Sequence, residues 1–388
     1  MSRRNLLGLK VRVGLLLYGR SELKLLRNKC IELDDEGKLV GVGASCGLHS
    51  VDLGASTLLM PPLCNGHVHV LDLGIADRWE GYPLETLVQQ PRGLKYRYLA
   101  MQSIDELVEW AYKTLKLLEV DGVGFVGAYV EEGFRGSLAL AQASKYTRLR
   151  VRILAQPASK SLVEAIELAN YVGGLGLDTP FDYGLDAISR LRMLARDYGV
   201  HIHVHVSEDI VMHELRDYLY ALELGARAAI HGTHLDFSEA EQLLCEGIWL
   251  VVCPRSNILL ARSTPPLELA FTLWRTGYRT LALGTDNAGW VEPSITQEIA
   301  TSYLLLRSHG IGAREAAETL LYMATLSCAE LLGFDAGLEE GTNLYALIAR
   351  HPAFYVADEP QAIVKRLVTS QKVLVEGVEL VSSRASVL

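Results

Sequence analysis

The sequence predicts an α/β protein: a (β/α)8 TIM barrel with a small β-sandwich domain formed by both chain ends. Three observations predict this fold class. Strand-like and helix-like segments alternate through the middle of the chain, and β-rich segments flank that middle on both sides. The third observation is that no glycine-rich phosphate loop follows the first strand of the alternating region, where a doubly wound sheet would normally carry one.

The alternating region covers residues 57–334. It opens with the strand-like LLMPPLCNGHVHV, and the amphipathic helix IDELVEWAYKTLKLLEV leads into the strand VGFVGAYV. Further strands follow in HIHVHVSE, AAIHGTHL, WLVVCPRSN and TLALGTD, with a helix predicted over 212–225. A repeated β-then-α order implies parallel strands with right-handed crossovers, and this number of units favours a closed barrel. An open, doubly wound sheet is the alternative.

The smaller domain is predicted from residues 1–56 together with residues 335–388. The first flank reads as the strands VRVGLLLYG, LKLLRNKCIEL and KLVGVG, with a turn at 34–37. The second flank resumes the same style in LYALIA, AIVKRLVTS and QKVLVEGVELV. No long amphipathic helix interrupts the first flank, so we expect the two ends to share one β domain.

Composition narrows the class of partner. The 388 residues are 49% hydrophobic and 21% charged, with a net charge of −9, as in an ordinary folded protein. No Lys/Arg block stands out and no window is apolar enough to span a bilayer, so neither a nucleic acid nor a membrane partner is expected. The N-terminus does not read as a signal peptide. We expect a small-molecule substrate and a cytoplasmic location, and we leave a homodimer open.

The six cysteines are scattered and form no Cys-x-x-Cys motif. Such spacing suggests neither a disulfide framework nor a thiolate metal site. We therefore expect buried, reduced thiols.

Histidines fall where the predicted strands end. His67 and His69 are two residues apart and therefore point the same way at the end of the first barrel strand. His205 and His231 end later strands, and Asp286 ends TLALGTD. The carboxyl ends of barrel strands converge on one face, and imidazole with carboxylate suits Zn²⁺ or Fe²⁺.

Four motifs carry a resemblance to a known family. PPLCNGHVHV resembles the PGFxNxHxH segment of the amidohydrolase superfamily, and HVSE at 205–208 is similar to the H-x-x-E motif of its mononuclear deaminase and chlorohydrolase branch. IHGTHL at 230–235 and LGTD at 283–286 are similar to the next two motifs of that branch, in the same order. The flanking β segments also match the family's small domain.

The resemblance implies roles for individual residues. It implies a single divalent metal, Zn²⁺ ahead of Fe²⁺, held by His67, His69, His205 and Asp286, with Asp286 also taking a proton. Glu208 is then the proton shuttle, and His231 helps to polarise the attacked carbon. A two-metal relative usually carries a bridging carboxylated lysine, but Lys160 has no motif around it, so a binuclear site is disfavoured.

Other residues have two readings. His203 is read as a deeper barrel-interior residue and His201 as structural, and Asp72 and Asp77 as loop charges. Candidate substrate-binding residues are Trp79 on the long 78–99 loop, His234, and Arg255 and Asn257 on the loop after the seventh strand. Trp79, His234 and Arg255 have alternatives as a packing, a capping and a salt-bridged residue, respectively.

The function expected from the resemblance is hydrolytic deamination of an amino-substituted heterocycle: a purine, pyrimidine, pterin or nucleoside-like compound. The alternative is hydrolysis of a cyclic amide, an amidine or a carbon–halogen bond on the same scaffold, since fold alone does not choose among them. A non-catalytic metal-binding scaffold is the remote alternative.

Overall fold

The computed structural model describes residues 9–47, 50–159, 161–181 and 183–377. Lys160, the residue weighed for a two-metal site, lies outside these ranges, as does the end of the last predicted strand. Among the described residues, no helix has the length and apolarity needed to cross a bilayer.

The barrel is a single parallel sheet that closes on itself. The sheet runs in the order β13-β12-β11-β10-β9-β8-β7-β6-β14. Its strands are β6 (Leu63–His69), β7 (Val123–Val130), β8 (Arg150–Ala155), β9 (Gly174–Leu177), β10 (His201–Val206), β11 (Ala228–His231), β12 (Trp249–Val252), β13 (Leu281–Leu283) and β14 (Asp286–Asn287).

Two short strands share the eighth position of the barrel. β13 pairs with β12, and β14, which begins three residues later, pairs with β6 through Asp286 and Val68. Closure therefore brings Asp286 beside the first strand. The predicted eight-stranded barrel is confirmed.

Most of the described helices follow barrel strands and pack outside the barrel. The described helices are α1 (Leu84–Val88), α2 (Leu94–Met101), α3 (Ile104–Val120), α4 (Gly133–Ser144), α5 (Leu162–Val172), α6 (Leu185–Tyr198), α7 (Ile210–Glu214), α8 (Asp217–Leu224), α9 (Phe237–Cys245), α10 (Pro254–Leu259), α11 (Leu267–Arg275), α12 (Ile295–Ser308), α13 (Ala313–Met323), α14 (Leu326–Leu331) and α15 (Pro360–Val364). Short 3₁₀ helices cover Asp72–Ile75, Pro352–Tyr355 and Leu367–Thr369.

The strand residues alternate between two cores. In β7, Val126, Ala128 and Val130 pack outward against the helices, whereas Phe125 and Tyr129 point into the barrel. α14 covers the opposite end of the barrel from the strand C-termini, since its apolar residues belong to the inner cluster. The mouth formed by the strand C-termini is left for the site.

Strands from both flanks form a second sheet. Its strands are β1 (Leu9–Tyr18), β2 (Lys24–Leu33), β3 (Leu39–Gly43), β4 (Ser50–Asp52), β5 (Thr57–Met60), β15 (Tyr345–Arg350) and β16 (Gln371–Glu376). They run in the order β16-β15-β5-β1-β2-β3, with β4 also paired to β1. The sheet includes β5 from the first residues of the predicted barrel range, and the division at 56 and 334 stays a prediction.

Several local expectations are wrong. The predicted helix over 212–225 is two short helices, because Arg216 adopts a left-handed conformation between α7 and α8. The segment predicted as the strand AIVKRLVTS is helical, in α15 and the 3₁₀ helix that follows. The predicted loop after the seventh strand is α10, which has Pro254 at its start, where a missing N–H is harmless.

The expectation of reduced cysteines is also wrong. Disulfides join Cys30 to Cys46 and Cys64 to Cys328, while Cys245 and Cys253 are free. The Cα atoms of the two pairs lie 5.2 and 5.7 Å apart, within the normal range for a disulfide. The spacing of the cysteines could not predict the Cys64–Cys328 pair, because these residues are 264 positions apart and meet only when β6 packs against α14.

Candidate metal centre

Four buried side chains meet at the carboxyl ends of the barrel strands. His67 and His69 lie on β6, His205 on β10 and Asp286 on β14. One ligand atom from each lies within 4.8 Å of all the others. The His69 and His205 Nε2 atoms are 3.4 Å apart, and Asp286 Oδ1 lies 3.1 Å from His67 Nε2 and 3.4 Å from His69 Nε2.

The donor set fits a divalent cation. His205 Nδ1 donates to the Leu177 carbonyl oxygen at 2.9 Å, which leaves its Nε2 with a lone pair. His69 Nδ1 lies 2.6 Å from the Glu131 carboxylate and donates to it, so its Nε2 also carries a lone pair. Two lone pairs and a carboxylate converging in a buried space repel one another unless a cation lies between them. Imidazole nitrogens and a carboxylate oxygen are ligands that Zn²⁺ takes in proteins.

The backbone brings the fourth ligand close to the first strand. A Cβ atom on Gly284 would lie 2.9 Å from His67 Cβ, so glycine allows β13 to run against His67. Asn65 then joins the two strands, because its Oδ1 accepts the N–H groups of His67 and Thr285, each at 3.2 Å. The Ser256 hydroxyl donates to Asp286 Oδ2 and fixes the carboxylate.

Three residues at the site have strained backbone conformations. Ser207, His231 and Asp286 have φ angles of 48°, 73° and 63°, in the left-handed region that non-glycine residues rarely adopt. Each such residue costs on the order of 1–3 kcal/mol, and such residues cluster at active sites. Two of these three residues, His231 and Asp286, contribute side chains to the possible ligand groups, and the Ser207 hydroxyl donates to Asp217 at 2.7 Å.

A buried charge network supports His69 from behind. Lys95 Nζ donates to Glu131 Oε1 at 2.8 Å and to Asp72 Oδ2 at 3.1 Å, and all three side chains are at most 2% exposed. The Asn287 amide also donates to Asp72. Sequence reasoning missed Lys95 and Glu131, and it read Asp72 as a loop charge, although Asp72 is fully buried. The available signal was the position of Glu131, directly after β7, where barrel strands present functional groups.

Glu208 and His231 lie beside the cluster on its open side. Glu208 Oε1 is 3.7 Å from His231 Nε2. Together with Asp286, these two residues form a second group of side chains that are close enough to bind one metal ion. Burial raises the pKa of the Glu208 carboxyl, and the nearby Asp286 charge raises it further, against the opposing effect of His231. A carboxyl group with a raised pKa keeps its proton to a higher pH than an ordinary glutamate and can act as a proton donor.

A cavity of about 490 Å³ opens in front of these residues. Its inner end includes His69, His205, Glu208 and Asp286. Its outer walls come from α1, α7 and the segments around them.

The four predicted substrate-binding residues are not among the described residues lining this cavity. Arg255 is held by Glu298 at 2.8 Å and by Gln297, and its remaining nitrogen donates to main-chain oxygens. Trp79 packs against the apolar cluster that contains Trp290. Asn257 donates to Thr233 at 2.7 Å and lies 3.5 Å from His231 Nδ1.

His234 lies beside His213, with ring centroids 6.3 Å apart. His203 is fully buried inside the barrel, and neither of its ring nitrogens has a hydrogen-bond partner among the described residues. The interpretation of His203 as a barrel-interior residue therefore agrees with its position.

The comparison with protein families decides the assignment. Residues 58–343, about three quarters of the chain, match the model of the amidohydrolase family. The chain belongs to the amidohydrolase family. The resemblance drawn from the four motifs is confirmed, and the metal-binding geometry described above lies within the matched region of this hydrolase.

Individual relatives cover most of the chain. An uncharacterized protein of Methanocaldococcus jannaschii is 28% identical over 291 residues, which cover 71% of this chain and 73% of that protein. A 5-methylthioadenosine/S-adenosylhomocysteine deaminase of Pyrococcus furiosus is 26% identical over 383 residues, which cover 91% of this chain and 89% of that protein.

A solved structure supports the fold. The adenosine deaminase from Xanthomonas campestris, which contains bound zinc, superposes with a TM-score of 0.75 at 20% identity, over 94% of this chain and 89% of that chain. At this identity, the likeness is evidence for the barrel and its accompanying sheet.

Proposed function

We propose that this amidohydrolase is a hydrolytic deaminase of adenine nucleosides or closely related compounds. The observation that carries the proposal is the shared placement of Asp286: it belongs both to the buried metal-ligand group and to the group that contains Glu208 and His231. A proton acceptor, a proton carrier and an imidazole thus surround one point. The Pyrococcus relative is named as a deaminase, and the match covers 89% of that protein, which supports the choice of reaction.

A divalent metal bound by His67, His69, His205 and Asp286 would supply a water whose pKa falls from ~15.7 to about 7. We propose zinc, since three imidazoles with one carboxylate suit it and the Xanthomonas structure contains zinc. Iron(II) accepts the same ligands.

The protein's own residues carry the protons. The Asp286 carboxylate accepts a proton at Oδ1, while the Ser256 hydroxyl holds Oδ2 in place. The Glu208 carboxyl, whose pKa is raised, donates to a ring nitrogen of the substrate. Asp286 then passes the proton it took from the attacking water to the exocyclic amine, which leaves as ammonia, while the proton of the added hydroxyl returns to Glu208. His231 stays oriented by Asn257 and polarises the attacked carbon.

The deciding experiment is ammonia release from the zinc-loaded protein with adenine nucleosides. Glu208→Gln is the test variant, and Glu214→Gln, an exposed acid on α7, is the matched control. Ammonia in the wild type and control, but not in Glu208→Gln, supports the proposal. Chloride or a ring-opened acid from halogenated or cyclic-amide substrates, without ammonia from any aminoheterocycle, would replace deamination by the alternative reactions.

Assembly and location stay predictions. A homodimer is checked by light scattering on the purified protein. The cytoplasmic prediction no longer has support from cysteine usage, because four cysteines are paired in disulfides, which are rare in most cytosolic proteins.

A further inference from the structure

The outer part of the cavity has a largely apolar wall. Its apolar residues come from α1, from α7 and from the end of α10, and they are Leu84, Val88, Ile210, Val211, Met212 and Leu260. Ile210 and Val211 are 51% and 60% exposed, so both aliphatic side chains are accessible to a ligand in the cavity. A substrate group that covered them would gain from their removal from water.

The charges of the described lining residues are almost all negative. Apart from the metal ligand Asp286 and the proton carrier Glu208, the acids are Glu85, Asp178, Asp209 and Asp217, and the described lining has one cation, Lys95. Lys95 is already bound to two buried carboxylates outside this set, Asp72 and Glu131. Its charge is therefore neutralised before any substrate arrives.

Arg255 does not add a positive charge to the cavity lining. Arg255 follows the seventh strand, but its guanidinium bonds to the buried Glu298, to Gln297 and to two main-chain oxygens. No described lining residue offers an arginine fork to a phosphate or carboxylate, which is the usual protein partner of such groups.

We propose that the site selects nucleosides by the charge of the 5′ substituent: it accepts a small, uncharged, apolar substituent and rejects one with a net negative charge, such as a phosphate. This inference rests on the proposed deaminase function and adds the substrate class. The adenine base lies at the metal end, and the 5′ substituent lies against the Val88, Val211 and Met212 wall, within the negative field of the acids.

The test compares 5′-methylthioadenosine, adenosine, S-adenosylhomocysteine and adenosine monophosphate. We expect kcat/KM to be highest for 5′-methylthioadenosine and about 10–100-fold lower for adenosine monophosphate, the range that one or two unscreened charge contacts produce. Raising the salt concentration to about 0.5 M should narrow this gap, because salt screens repulsion but not a steric block. S-adenosylhomocysteine, which carries an ammonium beside its carboxylate, is the zwitterionic comparison and should lose less than adenosine monophosphate.

A charge placed on the wall separates electrostatics from shape. Val211→Lys puts a cation at an exposed wall position, and Val211→Met is the uncharged control of similar length. We expect Val211→Lys to shift the preference toward adenosine monophosphate by about tenfold and Val211→Met to keep the wild-type order. Equal kcat/KM for neutral and anionic substrates in the wild type, or an equal shift in both variants, overturns the inference.

Binding distinguishes failure of the inference from failure of the proposed function. Dissociation constants for the same four compounds are measured by calorimetry on zinc-loaded Glu208→Gln, which is designed to bind without turning over. If the dissociation constants show the charge preference but the wild type releases no ammonia, the inference is supported and only the proposed deamination is overturned. Ammonia from all four compounds at similar rates and affinities overturns the inference alone, and absence of binding by all four overturns both.

Discussion

Replacing Glu131 by glutamine should weaken zinc binding by about 10–100-fold while the protein stays folded. Glu131 Oε1 lies 2.6 Å from His69 Nδ1 and 2.8 Å from Lys95 Nζ, in a fully buried position. The carboxylate makes the His69 ring a stronger donor to a cation and fixes its tautomer. Glutamine keeps the shape but removes the charge.

The size of the effect follows from the geometry. A charge-assisted hydrogen bond of 2.6 Å is among the strong ones in a protein, and it acts on one of four ligands. A 10–100-fold loss of affinity corresponds to about 1.4–2.7 kcal/mol. Lys95 keeps Asp72 as a partner at 3.1 Å, so the variant does not leave a bare buried charge.

The assay is competition for zinc against a fluorescent chelator, with thermal unfolding of the apo-protein beside it. Glu132→Gln is the matched control, since the neighbouring glutamate turns away to pair with Arg135 at 2.8 Å. An unchanged zinc affinity in Glu131→Gln, with an intact fold, would show that Glu131 does not support the metal centre.

Four further predictions concern single residues. Glu208→Gln should retain bound zinc and lose turnover by about 10²–10⁴-fold. In the wild type, kcat should fall as the pH rises through the raised pKa of Glu208, because the proton donor is then lost. Lys95→Met should destabilise the apo-protein by about 3–5 kcal/mol in urea unfolding, since it leaves two buried carboxylates unpaired. Cys64→Ser should lower the oxidised protein's unfolding free energy by about 2–5 kcal/mol, with little effect on the reduced protein. Burial lowers the pKa of His201 to about 4, so its contribution to stability should grow as the pH rises from about 4 to 6.5, where the unfolded state binds the extra proton.

Each of these has a result that contradicts it. Glu208→Gln that loses zinc would make Glu208 a ligand, and full ammonia release would remove it from proton transfer. Lys95→Met with wild-type stability would show that the two carboxylates find other partners. Equal destabilisation of the oxidised and reduced proteins by Cys64→Ser would assign the effect to packing. His201→Asn should flatten the dependence of unfolding on pH between 4 and 6.5, and an identical slope would exclude His201 as its source.

The sequence alone determined the barrel and the meeting of His67, His69, His205 and Asp286 at its mouth. Both depend on local patterns: a strand period of two aims His67 and His69 at one point, and the carboxyl ends of parallel strands converge. His205 and Asp286 could be placed by the same rule, because each lies at the end of a strand that the sequence pattern predicts. Helix α3 was predicted to its end residues, since a strong apolar period coincides with a capping box at Ser103.

Only the tertiary structure decided which side chains meet away from the strand ends. Lys95 lies on α2, and nothing in its local sequence indicates that it binds Asp72 and Glu131 behind His69. Arg255 was a candidate substrate ligand until α12 brought Glu298 against it. Tertiary packing also decided the disulfide between Cys64 and Cys328 and the charge of the cavity wall. Partners distant in sequence are chosen by how helices and loops pack on the barrel, and that packing leaves no periodic signal in the chain.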